Sequence, residues 1–409
     1  DFVKNQNEAE AQAAGRETDW LYDMVSQTGI IQDHNITVNG GAEKIKYFIS
    51  GDYMSQKGVL KGFNYKRYSL RMNIDADVTD YLKIGTNSYI VSHNRDGGRV
   101  NFMMAEAMSP YGKVYEDDGR YCIYPMYTES LFFNPMRDIN QDHERRQWNI
   151  NLNAYAELNF GNIWKPLTGL TYKFNFGYSF VPKREGYYNG AEQNDPNGYG
   201  YIFNAETQSR TVENILTYAK DIQKHHFDIT LLYASSRKKY HDNTATGAKF
   251  INDELLWHNL GGGGTQTAKS YTDLYTTVSQ MGRLNYSYDS RYLFTFTVRR
   301  DGSSVFGSDN KYGTFPSVAL GWNIANEKFM EKADWLNNLK LRLSYGKAGN
   351  EAIGVYETLA KMSNAALTMD GQSATALYPS SRMGNSGLGW ETTKTFNIGI
   401  DFGFLNNRI

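Results

Sequence analysis

Residues 68–75, 148–160 and 170–180 alternate apolar and polar side chains almost without error. A period of two puts every other side chain on one face of a β-strand. Leu170, Tyr172, Phe174, Phe176, Tyr178 and Phe180 therefore share a face opposite Thr171, Lys173, Asn175 and Ser179. The same rhythm returns at residues 227–233, 292–298, 339–345 and 396–404. So many long two-faced strands exceed what one sandwich core can bury, whereas a large antiparallel barrel with lipid outside and water inside uses them all.

Composition agrees once the barrel geometry is allowed for. The mean hydropathy of −0.59 suits a chain in which lumen residues and loops dilute the lipid-facing half of each strand. No run approaches the ~18 apolar residues of a spanning helix. The 31 Tyr, 21 Phe and 7 Trp fit strands ringed by aromatics at both membrane interfaces. A net charge of −1 with no basic block argues against a nucleic-acid partner. The single cysteine, Cys122, has no partner for a disulfide or a thiolate metal pair.

Short connections are expected at residues 77–80, 161–167, 221–224, 288–291 and 404–408, and long ones at about 94–145, 182–208, 242–274, 302–314 and 348–390. Short turns on one side and long loops on the other match outer-membrane barrels, with turns periplasmic and loops extracellular. Roughly thirteen strands emerge, an odd number, whereas bacterial single-chain barrels close with an even one. The chain is accordingly expected to be an internal barrel fragment over all of 1–409, with further strands outside it; its start, without Met or an apolar leader, supports that expectation.

Specific strings then accumulate in order. Thr18-Asp19-Trp20 precedes Asp33-His34-Asn35-Ile36-Thr37-Val38-Asn39-Gly40-Gly41, followed by residues 47–53, Gln56-Lys57-Gly58 and residues 65–73. Farther on come Arg300-Asp301-Gly302-Ser303-Ser304-Val305-Phe306-Gly307, residues 313–317, Gly321-Trp322, Glu327-Lys328-Phe329, residues 339–346, Gly349-Asn350, Leu388-Gly389-Trp390-Glu391-Thr392-Thr393 and Asn397-Ile398-Gly399. Together, across nearly the whole chain, they resemble the SusC/RagA family of TonB-dependent outer-membrane transporters. The resemblance implies a full barrel of about 22 strands around an N-terminal plug. By that resemblance the plug, the segment that meets the TonB complex, the first barrel strand and the last ones would lie outside this sequence. It further implies a SusD-like surface lipoprotein as a lid, a dimer of transporter–lid pairs, and import of a glycan oligosaccharide or, as the alternative, a peptide.

Several motifs have physical readings of their own. After the strand that ends near Val298, Asp301-Gly302 is expected to turn, with glycine free to take positive φ. Phe315-Pro316 is expected to open the next strand, because proline donates nothing to the ladder. Trp335, beside the polar turn at residues 334–338, reads as an interface anchor. Arg71, Asp75, Lys173, Arg299 and Arg342 are expected to face the lumen, since a charge on the lipid side at mid-membrane costs about 2–4 kcal/mol.

Signals for catalysis and cofactors fail. Residues 263–270 miss a phosphate-binding loop because Ala268 stands where the second glycine belongs and no helix follows; the Gly261–Gly264 run reads as a flexible loop. His225-His226 sits beside a turn with no HExxH or CxxC in the chain, and the acidic pairs Asp117-Asp118 and Asp253-Glu254 lack calcium-loop spacing and read as solvated loop charges. A non-enzymatic protein without a cofactor is expected.

Loop aromatics are the better candidates for cargo contact, because sugars and peptides stack apolar faces on rings and hydrogen-bond at their edges. They are Tyr187, Tyr188, Tyr199 and Tyr201 in one expected loop, Tyr111, Tyr115, Tyr121, Tyr124 and Tyr127 in another, and Trp257 in a third, with Asp301 at the rim. Two rival classes are a passive porin, which needs no plug or TonB, and a soluble all-β hydrolase or lectin, which would bury the apolar faces internally.

Overall fold

Each alternating segment forms a strand, and each strand hydrogen-bonds to its sequence neighbour. The computed structural model describes residues 6–126, 129–331, 335–380 and 383–404. The strands are β1 (Ile30–Ala42), β2 (Ile45–Lys57), β3 (Asn64–Asp77), β4 (Leu82–Asn94), β5 (His143–Asn159), β6 (Leu170–Asn189), β7 (Tyr199–Ile222), β8 (His225–Phe250), β9 (Gly263–Tyr288), β10 (Tyr292–Ser303), β11 (Tyr312–Asn323), β12 (Leu336–Asn350), β13 (Met362–Met369), β14 (Gln372–Pro379) and β15 (Glu391–Phe404). Among the described residues one antiparallel 13-stranded sheet runs β1 to β12 in order and then β15, while β13 and β14 form a separate hairpin in the last long connection.

Register carries one apolar face across the whole sheet. Val38 faces Ile49, Ile49 faces Met72 and Leu70 faces Ile90. Ala154 faces Phe176, Phe176 faces Val212, Leu216 faces Leu231, and Ile229 faces Leu284. Leu284 faces Phe296, Phe294 faces Leu320, Leu320 faces Leu343, and Leu343 faces Ile398. Nothing among the described residues covers this band: Leu231 is 51% and Phe296 42% exposed although both lie on interior strands, and Phe174, Phe176, Ile398 and Phe402 are exposed as well. An apolar surface of that extent is tolerable only against lipid or another apolar partner. At the short-turn end it closes in a ring of aromatics, with Phe227 against Tyr286 (5.0 Å), His225 against Tyr288 (4.9 Å) and Trp335 stacked on Phe404 (5.6 Å).

The opposite face is polar and internally bonded. Arg67 and Ser69 donate to Asp52 at 2.7 and 2.9 Å. Asn153 donates to Asn175 and Asn175 to Glu213 (3.0 and 2.9 Å), Arg342 pairs with Asp401 at 2.6 Å, and Tyr155 donates to Asp75. Arg71, Asp75, Lys173, Arg299 and Arg342 all have this parity.

Short turns follow the expected chemistry. At residues 288–291, Asp289 and Ser290 both have positive φ (51° and 55°), the backbone of the two-residue turn whose twist matches the flanking strands. Beyond the short-turn end, Glu327 accepts hydrogen bonds from Tyr292 (2.7 Å), Trp322 (3.0 Å) and Arg291 (3.1 Å), which gives Gly321-Trp322 and Glu327-Lys328-Phe329 a structural task. His225 and His226 contact Tyr286 (2.8 Å) and Asp221 (2.6 Å). No group of three His, Cys, Asp or Glu able to hold a metal occurs among the described residues. Residues 405–408 of the expected turn at 404–408, and Asp334, lie outside the described residues.

Four expectations about connections are corrected. The supposed loops at 182–208 and 242–274 are largely ladder, shrinking to 190–198 and 251–262, because β6 to β9 continue far past the roughly 9–11 residues that cross a bilayer. The glycine run and residues 263–270 accordingly fall in a short 3-10 segment and in β9. Gly302 makes no turn: it lies inside β10 without positive φ, and a Cβ there would meet the ring of Tyr312 at 2.4 Å. Tyr312 crosses over Gly302 and carries Arg300 on its ring (4.5 Å). Pro316 does not open β11 but pairs with Val298 inside it; the β11–β12 ladder begins one residue later, at Ser317 with Gly346, so proline stands where only one neighbour is engaged.

Among the described residues the buried apolar side chains gather at the loop end, opposite the short turns. Trp20, Val25, Val100, Ala105, Met108 and Met136 form a small core that ties the segment before β1 to the long β4–β5 connection, with Trp20 donating to the Ser109 carbonyl at 2.8 Å. Within that connection Cys122 is buried, and burial pushes its thiol up to about 12, with the nearby Glu116 carboxylate adding to the effect. Thiolate is the reactive form. Cys122 in the folded protein is expected to alkylate with iodoacetamide at pH 8 about 10³-fold more slowly than an ordinary thiol, and at an ordinary rate after denaturation; comparable rates in both states would contradict this burial.

Candidate functional site

Alternation continues above the membrane-crossing part of β5 to β7, but with polar partners. His143, Lys183, Glu185, Tyr187, Tyr199 and Tyr201 all have lumen parity, with His143 opposite Tyr187 and Tyr187 opposite Tyr201. The Tyr187 and Tyr201 rings stack at 5.1 Å and 19°, Tyr199 tilts against Tyr201 at 6.3 Å, and His143 meets Tyr187 edge-on at 5.1 Å. Glu185 is the polar hub: it accepts from the Tyr201 hydroxyl (2.8 Å), contacts His143 Nε2 (3.0 Å) and pairs with Lys183 (3.1 Å). The result is an aromatic shelf with a fixed carboxylate at its edge. Tyr199 is the most exposed of its rings.

The loops complete a second wall. Tyr115 stacks on Tyr121 at 5.2 Å, and both line a cavity of about 570 Å³ with Arg120, Arg137 and Ala191. Ala191 belongs to the β6–β7 connection, so this cavity lies between the two loops. Asn194 donating to the Tyr124 hydroxyl (2.7 Å) and Gln141 donating to Asn189 (3.3 Å) join them. Tyr111 turns toward the segment before β1 and donates to Glu17 at 3.4 Å. Tyr127 lies outside the described residues.

Other expected contacts sit apart from this shelf. Tyr188, one residue out of phase with Tyr187, points to the outer face and is buried, its hydroxyl donating to Asp253 (2.7 Å) while the Ala191 N–H donates to the other carboxylate oxygen (2.8 Å). Asp253 is thus a staple rather than a solvated loop charge. Trp257 is 3% exposed; a Cβ on Gly186 would meet its ring at 2.7 Å, and Arg184 lies over it at 5.7 Å. Tyr188 and Trp257 therefore hold the β8–β9 connection against the outside of the ribbon. Asp301 binds Arg299 at 2.7 Å within β10. Sequence reasoning missed Glu185, Lys183 and His143, although Lys183-x-Glu185-x-Tyr187 is itself a period-two signal.

Comparisons with known proteins agree with this architecture. Residues 50–409 match the family described as TonB dependent receptor-like, beta-barrel. The chain is 33% identical to TonB-dependent receptor P3 of Formosa agariphila and 31% identical to TonB-dependent receptor SusC of Bacteroides thetaiotaomicron, in each case over 96% of this chain. It covers only 40% and 41% of those relatives. In three dimensions it is similar to the structure of the RagAB peptide transporter, with a TM-score of 0.81 at 27% identity, covering 96% of this chain and 44% of that one. A 13-stranded meander with an uncovered apolar face, a bonded polar face and one-sided long loops is what such a barrel contributes, and the chain belongs to the TonB dependent receptor-like β-barrel family of the outer membrane, of the SusC/RagA kind.

Proposed function

We propose that the whole protein is a non-enzymatic active importer that takes an oligosaccharide across the outer membrane, with a SusD-like lipoprotein resting on the long loops and energy delivered through TonB. The observation that carries the cargo class is the Tyr187–Tyr199–Tyr201 shelf with Glu185 at its edge. Planar rings offer stacking surface at low entropic cost, and a carboxylate held by three donors can accept hydroxyl groups of a sugar without moving. Residues 1–409 would form the greater part of the barrel in this reading. A peptide is the second reading, favoured by the likeness to the RagAB peptide transporter.

Calorimetry on the lid-bound complex with neutral oligosaccharides and with mixed peptides separates the two. Oligosaccharide binding that weakens about 3- to 10-fold in Tyr199→Ala, the range of one lost ring contact, supports the first. Binding of peptides alone overturns it in favour of the second. Uptake that persists without TonB would instead indicate a passive pore.

A further inference from the structure

The lipid-facing parity of β5 to β8 ends, on the loop side, in cations. On β7, Leu216 and Val212 are followed by Arg210; on β8, Ile229, Leu231 and Tyr233 are followed by Arg237 and Lys239. On β5, Trp148 is followed by Arg146, and on β6, Phe180 is followed by Arg184. All five cations are exposed. Two pairs stand directly opposite each other across the ladder, Arg146 with Arg184 and Arg210 with Arg237. Like charges in that relation are destabilising. The first pair is compensated: Glu144 contacts both members (3.5 and 3.1 Å), and Asp96 binds Arg146 at 2.9 Å. Arg210, Arg237 and Lys239 have no carboxylate at ion-pair distance among the described residues, and the nearest acid of the same parity, Glu206, is engaged by Gln208 (3.1 Å). Beside them a concavity of about 300 Å³ opens on the outer face, lined by Arg146, Trp148, Arg184, Glu206 and His241.

An uncompensated pair of arginines is retained at little cost if an anion from outside the chain sits between them. Its place identifies the anion: the pair lies at the edge of a surface that only hydrocarbon can cover, where an outer-leaflet lipid presents its headgroup. Guanidinium pairs favour planar, bidentate contacts to phosphate. The geometry points to Arg210, Arg237 and Lys239 as a binding site for the phosphorylated headgroup of an outer-leaflet glycolipid, on the outside of the barrel and independent of the cargo path. The lipid would neutralise the cross-strand repulsion and fasten the β7–β8 ribbon where it leaves the membrane.

The test uses the whole protein in detergent, with the triple variant Arg210→Gln/Arg237→Gln/Lys239→Gln and the lumen-side control Lys238→Gln. Vesicles of phosphatidylethanolamine doped with bisphosphorylated lipid A, or with its enzymatically dephosphorylated form, are used to measure partitioning, and native mass spectrometry counts retained glycolipid. The wild type and the control are expected to prefer the phosphorylated vesicles, with the preference falling about 100-fold in the triple variant, about fivefold per cation. Arg210→Gln alone, which removes the repulsion while sparing the fold, is expected to lose about fivefold. Equal retention by the wild type, the triple variant and Arg210→Gln, equal preference for the two lipid forms, or displacement by millimolar inorganic phosphate, which would mark a free-anion site, would each overturn the assignment.

Discussion

Phe176→Arg in the whole protein is expected to destabilise the folded barrel by about 2–4 kcal/mol, whereas Ser179→Arg, three residues on and of opposite parity, is expected to change stability by less than about 1 kcal/mol. Phe176 lies near the middle of the apolar run of β6, between Ala154 and Val212 in register, so an arginine there must either enter hydrocarbon or drag its strand toward an interface. Ser179 faces the polar side, opposite Asn151 and Ser209, where a guanidinium stays solvated. Urea titration of the reconstituted protein, followed by the loss of the compact electrophoretic form, measures both. Equal losses in the two variants would mean that the faces are not lipid and water.

Trp257→Ala is expected to release the β8–β9 connection. The ring is 3% exposed, sits in the space left by the missing side chain of Gly186, and is flanked by Arg184 and by His258 at 4.0 Å. Truncating a fully packed tryptophan costs about 3–5 kcal/mol. That cost falls on a short connection and not on the ladders, so local opening is the expected response. Limited proteolysis should cut between residues 251 and 262 in the variant at least about tenfold faster than in the wild type, with the barrel intact. Protection equal to the wild type would show that Tyr188 and Asp253 hold the connection unaided.

Where one side of a strand meets lipid and the other meets water, the sequence is explicit, and residues 170–180 announce β6 without ambiguity. Past Pro182 the outer face of the same strand no longer meets lipid, since Gly186 and Tyr188 lie under the β8–β9 connection; the apolar–polar contrast disappears, and Lys183 to Asn189 read as loop although they remain hydrogen-bonded to β7. The same loss of contrast hid the top of β8 and the start of β9, where Thr246 faces Thr267. The β13–β14 hairpin was legible and overlooked: Asp370-Gly371, both at positive φ, is a strong two-residue turn signal between flanking strands. Gly302 was misread for a different reason. Its freedom from a Cβ serves the Tyr312 ring, a cross-strand neighbour that local sequence does not reveal. Tyr187, Tyr199 and Tyr201 were found as aromatics but not as a shelf, because their common face depends on strands assigned as loop; Tyr188 and Trp257 belong to the opposite side of the same ribbon.

Hydrocarbon covers the face bearing Phe174, Phe176, Leu231 and Ile398, all of them exposed on the isolated chain. Spin labels placed singly from residue 172 to 180 of the whole protein in lipid vesicles, with Cys122 replaced by Ser, report collisions with oxygen and with a water-soluble nickel chelate. Oxygen contact is expected to peak at 172, 174, 176, 178 and 180, and chelate contact at 173, 175, 177 and 179. Uniform shielding from both reagents at the even positions would place those rings in a protein interior and contradict the membrane barrel.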